Sequence, residues 1–548
     1  MRLLALATLW LIIGGWIPGA WAASATGTSA TGTAAAGTLA TGSTADDAAS
    51  SPSGPSGSWT VYHQNAAGTG VAAQVTAIDT SRRAWTSPAL DGQIYGEPLV
   101  SAGRIFVATE DDTVYALSPA TGAVLWSAHL GSPVPAGSLP CGDIMPTLGI
   151  TGTPVIDPAR GEIFVVADEL VHGKAAHLLV GLGVRTGKTE LSQNVDPAGA
   201  DPTALLQRTG LTLDAGQVVF GFGGNYGDCA SYRGRVIAVP ETGGPPKDFT
   251  VDAAARDSQG AIWMGGAAPA VDSSGHIWVS AGNGSVHSAN QGYDDSDSAL
   301  ELSSSLRLLQ FFAPSSWASN NASDLDMSTV PVLLSDGQVL LTGKSRIVYL
   351  LNGAHLGSIG GQLAATGQVC GDDIDGGAAV AGTTAYLPCL AGIIAVRATK
   401  SPAAVSLLWS SGTGGGPPII AAGQVWTIGQ NGTLYGLDPA TGKVRQQAQI
   451  GAVANHFPTP SVGAGLLLAP AANHVVAFTA SASGTPATSA PATQAPRTIP
   501  PTQSGSESGS STGGGLSAGA IAGLAAGGVV VIGGIGWLAW RRRAGGAR

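Results

Sequence analysis

The stretch Asp112 to Trp126, DTVYALSPATGAVLW, returns with a few changes as Asn431 to Arg445, NGTLYGLDPATGKVR. In both copies an alternating apolar strand runs into Ser/Asp-Pro-Ala-Thr-Gly, which closes a tight turn, and a further strand begins. Weaker copies share the core of the pattern at His177 to Lys188, Gly234 to Gly243, Arg346 to Asn352, Gly392 to Arg397 and His474 to Phe478. Such repetition limits the possible folds, because one small sheet has two faces and needs neighbouring copies to cover both. The spacing from Ile394 to Tyr435 to Val476 is about 40 residues, which suits a β-propeller blade and exceeds a leucine-rich repeat.

Each copy also carries an upstream pair of strands of the form Pro-apolar, Gly turn, aromatic strand. Examples are EPLVSAGRIFVAT from Glu97, TPVIDPARGEIFVVA from Thr153, APAVDSSGHIWVSAG from Ala268, PPIIAAGQVWTIG from Pro417 and TPSVGAGLLLAP from Thr459. Blades are therefore expected to start at Glu97, Thr153, Thr209, Ala268, Val330, Gly377, Pro417 and Thr459. The expected fold is all-β, an eight-bladed β-propeller of four-stranded blades over residues 59–480, or seven blades if one irregular region is an insertion. Ser81 to Trp85 resembles an outermost strand without inner strands before it, and the last repeat lacks an outermost strand after it. Pairing the two closes the ring and removes the open sheet edge.

Composition agrees with many short strands joined by tight turns: 81 glycines, and only 11% charged residues. The net charge of −10 argues against nucleic-acid binding, which needs a basic stripe to neutralise phosphates.

The two ends read differently from the body. Residues 1–22 run from Met1-Arg2 through apolar Leu3 to Ile13 and reach Ala20-Trp21-Ala22, the pattern of a signal peptide cut after Ala22. Residues 23–58 are Ala, Ser, Thr, Gly and Pro with little to bury, the composition of a disordered linker. Residues 481–515 read as a Pro/Ser/Thr-rich stalk. Leu516 to Trp540 is uncharged and apolar, long enough to span a bilayer as one transmembrane helix. Arg541, Arg542 and Arg543 follow, so residues 541–548 are expected in the cytoplasm and the propeller outside the cell.

The four cysteines, Cys141, Cys229, Cys370 and Cys389, allow three pairings in an exported chain. Their places in the repeat favour Cys141 with Cys229, in loops leading out of and into adjacent blades, and Cys370 with Cys389, flanking one hairpin. No pair has CxxC spacing, so a cysteine metal site is not expected. His172 and His177 also lack a paired-ligand spacing and are expected in a surface loop. Trp85, Trp126 and Trp409 fall at outer-strand positions and are expected to pack between blades.

The repeat GxxVYALxxxTGxxxW resembles the pyrroloquinoline-quinone (PQQ) repeat of the quinoprotein alcohol dehydrogenase-like propellers. The resemblance runs over roughly Trp59 to Ala480. CGDIMPTLGITGTPVID from Cys141, QRTGLTLDAGQVVFGFG from Gln207 and IWMGGAAPAVDSSGHIWVSAGNG from Ile262 are similar to exported members of that group, as is DLDMSTVPVLL from Asp324. The resemblance implies eight blades. In catalytic members it also implies PQQ at the axis on a tryptophan floor beneath a vicinal disulfide, a calcium ion held by Glu and Asn, and a catalytic Asp. This chain has no adjacent Cys-Cys pair and no CxxCH haem motif, and no catalytic residue is assigned. Trp263 and Asn283, the latter in a Gly-Asn-Gly turn, are the candidate cofactor-binding residues. Asp294, Asp295 and Asp297 form one candidate metal loop, and Asp372, Asp373 and Asp375 are a second acidic loop.

The resulting expectation is an exported, membrane-anchored, non-enzymatic binding or scaffold module, with an extracellular protein, peptide or glycan as partner. The alternative is a PQQ-dependent dehydrogenase with calcium and a degenerate cofactor site. An assembly role like that of the lipoprotein propeller in outer-membrane β-barrel insertion is a third reading, set back by the absence of a lipidated amino-terminal cysteine.

Overall fold

The computed structural model describes residues 57–251, 258–455 and 457–482. Among the described residues eight sheets form blades in chain order, antiparallel except where Val71–Ala72 and Ser358–Ile359 each add a parallel edge strand, and a two-stranded ribbon of Val134–Pro135 and Thr147–Leu148 lies apart from them. Blade 1 consists of Leu99–Ser101, Arg104–Ala108, Thr113–Leu117 and Val124–His129. Innermost strands of blades 2 to 8 are Val155–Asp157, Thr212–Asp214, Ala270–Val271, Val332–Leu333, Ala379–Ala381, Ile419–Ala421 and Ser461–Gly463. The count is eight, at the positions the repeat predicts.

Position within a blade sets the residue pattern. Middle strands are covered on both faces, and Ile105, Phe106 and Val107 are accordingly all buried. The outermost strand, Val124–His129, alternates between exposed and half-buried positions because only one face is covered. Phe106 and Val114 of blade 1 share a continuous apolar core with Val165 and Leu182 of blade 2 and with Leu468 and Val476 of blade 8. Each blade thus supplies the cover its neighbour lacks.

The predicted Thr-Gly turns are where blades are pinned to one another. Trp85, Trp126 and Trp409 lay their indoles on Gly122, Gly187 and Gly442 of the following blade's turn. A Cβ at Gly187 or Gly442 would stand 2.5 Å from a ring carbon. Each indole Nε1 donates to a carbonyl beside that turn: Trp85 to Pro119 at 2.8 Å, Trp126 to Val184 at 3.2 Å and Trp409 to Pro439 at 3.0 Å. The glycines have φ near +70°, a conformation that disfavours a side chain.

The ring closes as expected. Trp85 and Thr86 pair with Ala477 and Val476 of the last strand, His474–Ala482, and Val75–Asp79 pairs with the same strand farther along. The residues ahead of this closure do more than the sequence indicates. Trp59 exchanges backbone hydrogen bonds with Val100 of blade 1. The carbonyls of Thr60, Ala66, Thr69 and Gly70 then accept from the N–H groups of Ile156, Val271, Val380 and Ile420, in blades 2, 4, 6 and 7. Contacts with innermost strands on opposite sides of the ring carry this segment across the central channel.

Both disulfides form with the expected pairing. Cys141–Cys229 and Cys370–Cys389 have Cα separations of 6.2 and 6.1 Å. The signal-peptide, stalk and membrane-helix segments lie outside the described residues, apart from a few residues at their borders. Among the described residues no helix is long and apolar enough to cross a membrane.

The packing gives a direct test. Gly187→Ala forces a side chain into a left-handed backbone position, at about 1 kcal/mol, and displaces the Trp126 ring. A total loss of about 2–3 kcal/mol is expected in chemical denaturation, whereas Gly161→Ala, with the same φ sign but open space around it, loses only the backbone part.

Candidate functional site

The segments that enter the innermost strands come from one side of the ring, so equivalent positions of successive repeats meet near the axis. Tyr95 precedes blade 1, Arg208 blade 3, Trp263 blade 4, Asp326 blade 5, Asp375 blade 6 and Phe457 blade 8. Asn283 and Lys344 enter from the turns after Ile277–Ala281 and Gln338–Leu341.

One buried and one half-buried cation organise this cluster. The Arg208 guanidinium lies 5.0 Å from the centre of the Phe457 ring and 5.8 Å from that of Tyr95. It is accommodated by Gly266, where a Cβ would meet its nitrogens, and its Nη2 finds no hydrogen-bond partner. The Lys344 ammonium pairs with Asp326 at 2.5 Å and Asp324 at 3.1 Å and stands over the Trp263 ring at 5.6 Å. Burial alone would lower its pKa, but the charges of Asp326 and Asp324 outweigh burial and hold it well above the usual value. Asp375 is fully buried and pushed up to about 7 by desolvation, against the opposing pull of a Ser328 hydrogen bond and the Lys344 charge.

The predicted pair Trp263 and Asn283 is brought together here. The Asn283 Nδ2 donates to Asp324 at 2.9 Å, its backbone N–H donates to Asp326 at 2.6 Å, and its Oδ1 is buried without a partner. Asp294, Asp295 and Asp297 do not converge. Asp294 accepts from Ser296 and from the Val286 N–H, whereas Asp297 accepts from Asn320. Asp294 and Asp297 thus satisfy buried backbone, hydroxyl and amide donors of the surrounding loops. Of the second acidic loop, Asp375 turns inward to this cluster.

A rim of two tied loops surrounds the cluster. Asp143 acts electrostatically on Arg208, and Asp228 feels the charges of Asp326, Asp324 and Lys344. The Cys141–Cys229 bridge therefore pins together loops beside the axial site. Met145 and Tyr226 in these loops are 58% and 64% exposed, large values for such side chains. A shallow depression beside them is lined by Leu139, Ile144, Leu148, Leu206 and Tyr226, with Asp143 and Asn225 at its edge.

Sequence reasoning missed the acids on the other side of Arg208. Glu110 is buried and pushed up to about 7 by desolvation. Asp112 is raised to about 10 by desolvation and then by the charges of Glu169 and Asp168, and neither of its oxygens has a hydrogen-bond partner. His177, expected in a surface loop, is fully buried inside the long strand Lys174–Gly183. Its Nδ1 lies 2.8 Å from Asp196 and its Nε2 3.6 Å from Asp168, and these two charges raise its pKa against the effect of burial. The extended Glu162–Val171 and Lys174–Gly183 hairpin carries it inward.

Comparison with known proteins agrees with this architecture. The family model PQQ_2, described as outer membrane protein assembly factor BamB, matches residues 30–280. Quinohemoprotein alcohol dehydrogenase from Comamonas testosteroni superimposes with a TM-score of 0.59 at 16% identity, over 78% of this chain and 81% of that one. A quinohemoprotein alcohol dehydrogenase from Pseudomonas putida HK5 gives 0.56 at 14% identity, over 81% and 82%. A europium-containing methanol dehydrogenase gives 0.55 at 15%, over 76% and 89%. No curated protein matches the chain. The fold is an eight-bladed β-propeller. At these identities the structural likeness speaks for the fold alone.

The residues present do not fit a quinone and its metal ion. Lys344 covers the Trp263 ring, where a planar group would stack, and Phe457 meets the same ring edge-on at 6.1 Å. The ammonium also pairs with the carboxylates of Asp324 and Asp326, the same two that hold Asn283. The two cysteine bridges join residues 88 and 19 apart in sequence, and neither is vicinal.

Two variants test the electrostatics. The Asp326 side chain is 11% exposed and that of Asp324 73%, so Asp326→Asn is expected to cost about 3 kcal/mol and Asp324→Asn under about 1 kcal/mol in urea unfolding. Asp112 binds its proton more tightly folded than unfolded, so it lowers stability as pH rises from about 4 toward its folded value of about 10. Asp112→Asn should therefore melt higher than the parent, with a gap that opens across that range and is absent near pH 4. Asn also suits the φ of +52° at this position.

Proposed function

We propose that this protein is a non-enzymatic binding propeller that captures a polypeptide partner at its axial face, outside the cell and tethered to the membrane by residues 516–540. The observation that carries this reading is the axial ion-pair cluster, in which Lys344 covers the Trp263 face and pairs with the carboxylates of Asp324 and Asp326. What the face offers instead is a rigid rim. Met145 and Tyr226 project from loops tied by Cys141–Cys229, beside a shallow depression. Exposed aromatic and methionine side chains around buried charge are the composition of a protein-contact surface. The match to an outer membrane protein assembly factor over residues 30–280 supports a scaffold role of this kind. Export and anchoring rest on the sequence of the two ends.

Two measurements separate this reading from the quinoprotein alternative. Titration of PQQ with calcium into the purified protein, followed by calorimetry, is expected to show no saturable uptake; one-to-one binding in the micromolar range would reverse the conclusion. In cells, a photo-crosslinking residue at Tyr226 should give a discrete protein adduct that Met145→Asp removes. The same residue placed at Lys443, on the outer edge of blade 7, should give none.

A further inference from the structure

Away from the axial face, the hairpins of blades 3 and 4 bring four titratable side chains together. Asp272 directly follows the innermost strand of blade 4 and His276 directly precedes the next, so the turn between them sets the two side by side. The Asp272 Oδ1 accepts from the backbone N–H groups of Ser274 at 2.7 Å and His276 at 3.0 Å, which fixes the turn. Its Oδ2 lies 3.7 Å from the His276 Nδ1 and accepts from the Trp278 indole at 3.0 Å. Glu301, on the adjacent strand Ser298–Leu302, presents Oε1 to the same Nδ1 at 2.6 Å, while Gln310 holds its Oε2. One ligand atom from each of Asp272, His276 and Glu301 lies within 4.8 Å of the others.

The fourth member separates this group from an ordinary histidine–carboxylate hydrogen bond. Asp214 ends the innermost strand of blade 3 and is only 9% exposed. Its Oδ2 has no hydrogen-bond partner. Its Oδ1 stands 3.5 Å from the place a Cβ would take on Gly275, within the Asp272 to His276 turn, so this carboxylate borders the turn that carries two of the other three. Burial and then the charge of Asp272 raise its pKa, against His276 and Lys247, and the Lys247 ammonium is engaged with Gln217 at 2.8 Å. A buried oxygen without a donor, near a second carboxylate, is costly unless a cation arrives.

We infer that Asp214, Asp272, His276 and Glu301 form a binding site for a divalent transition-metal ion that ties blade 3 to blade 4. One imidazole with three carboxylates suits Zn²⁺, whereas Ca²⁺ and Mg²⁺ favour oxygen ligands alone. Trp278 and Gln310 orient the carboxylates from behind, as the outer partners of metal ligands commonly do. On binding, the His276 Nδ1 lone pair goes to the metal and any proton on that nitrogen leaves to solvent. The site shares no residue with the Lys344 cluster.

The test is calorimetric titration of ZnCl₂ into tag-free, metal-stripped full-length protein, with Co²⁺ absorption as a second readout. The expected result is one ion per chain, visible bands of a low-coordinate Co²⁺ site, and a higher melting temperature with zinc. His276→Ala and Asp214→Asn, each shown by circular dichroism to be folded, should both weaken binding at least tenfold. No saturable binding, or an affinity that both variants keep, overturns the site. Loss in His276→Ala with full retention in Asp214→Asn overturns the link between blades.

Discussion

The contact on which the rest depends is the seating of an outer-strand indole on the Thr-Gly turn of the next blade. A single four-stranded sheet leaves both faces uncovered, and packing alone would allow neighbouring sheets to slide. At the interfaces of blades 8 and 1, 1 and 2, and 6 and 7 the indole removes that freedom: its ring needs a glycine beneath it, and its N–H needs a carbonyl at the turn. Trp85 applies the same lock across the closure, joining a strand contributed by the start of the ring to the turn of blade 1. Once the blades are fixed in rotation, the segments entering their inner strands have no choice but to converge at the axis.

That convergence concentrates charge where water is scarce. The chain meets the cost by pairing: Lys344 with Asp324 and Asp326, His177 with Asp168 and Asp196, and Arg208 with aromatic faces. The channel itself is crossed by the chain's own segment from Trp59, which hydrogen-bonds to inner strands on several sides through backbone groups. Beside the axis Cys141–Cys229 ties the loops that expose Met145 and Tyr226.

Much of this was legible in the residues. The eight blade starts, the closing strand, the indoles between blades and both disulfide pairings follow from a repeat whose period is set by strand length and turn chemistry. Trp263 and Asn283 were recognisable because one precedes an inner strand and the other sits in a Gly-Asn-Gly turn. Their partners were not. Lys344 looks like the end of a strand followed by a turn, and nothing local in its sequence says that it reaches the carboxylates of a loop some twenty residues earlier. His177 looked exposed because a hairpin longer than its neighbours cannot be told from a loop by alternation alone, and the acidic run at Asp294 looked like a ligand set although its oxygens serve nearby donors.

By itself, the sequence determined the architecture: alternation, Pro-apolar entries and Thr-Gly turns are local signals, and their repetition leaves a closed ring as the way to cover every sheet. Tertiary structure alone decided which side chains meet. The residues gathered at the axis, and those gathered between blades 3 and 4, come from different repeats, and their encounter depends on the rotation of one blade against the next. That rotation is set by packing between sheets, a property of the assembled ring that no single segment encodes.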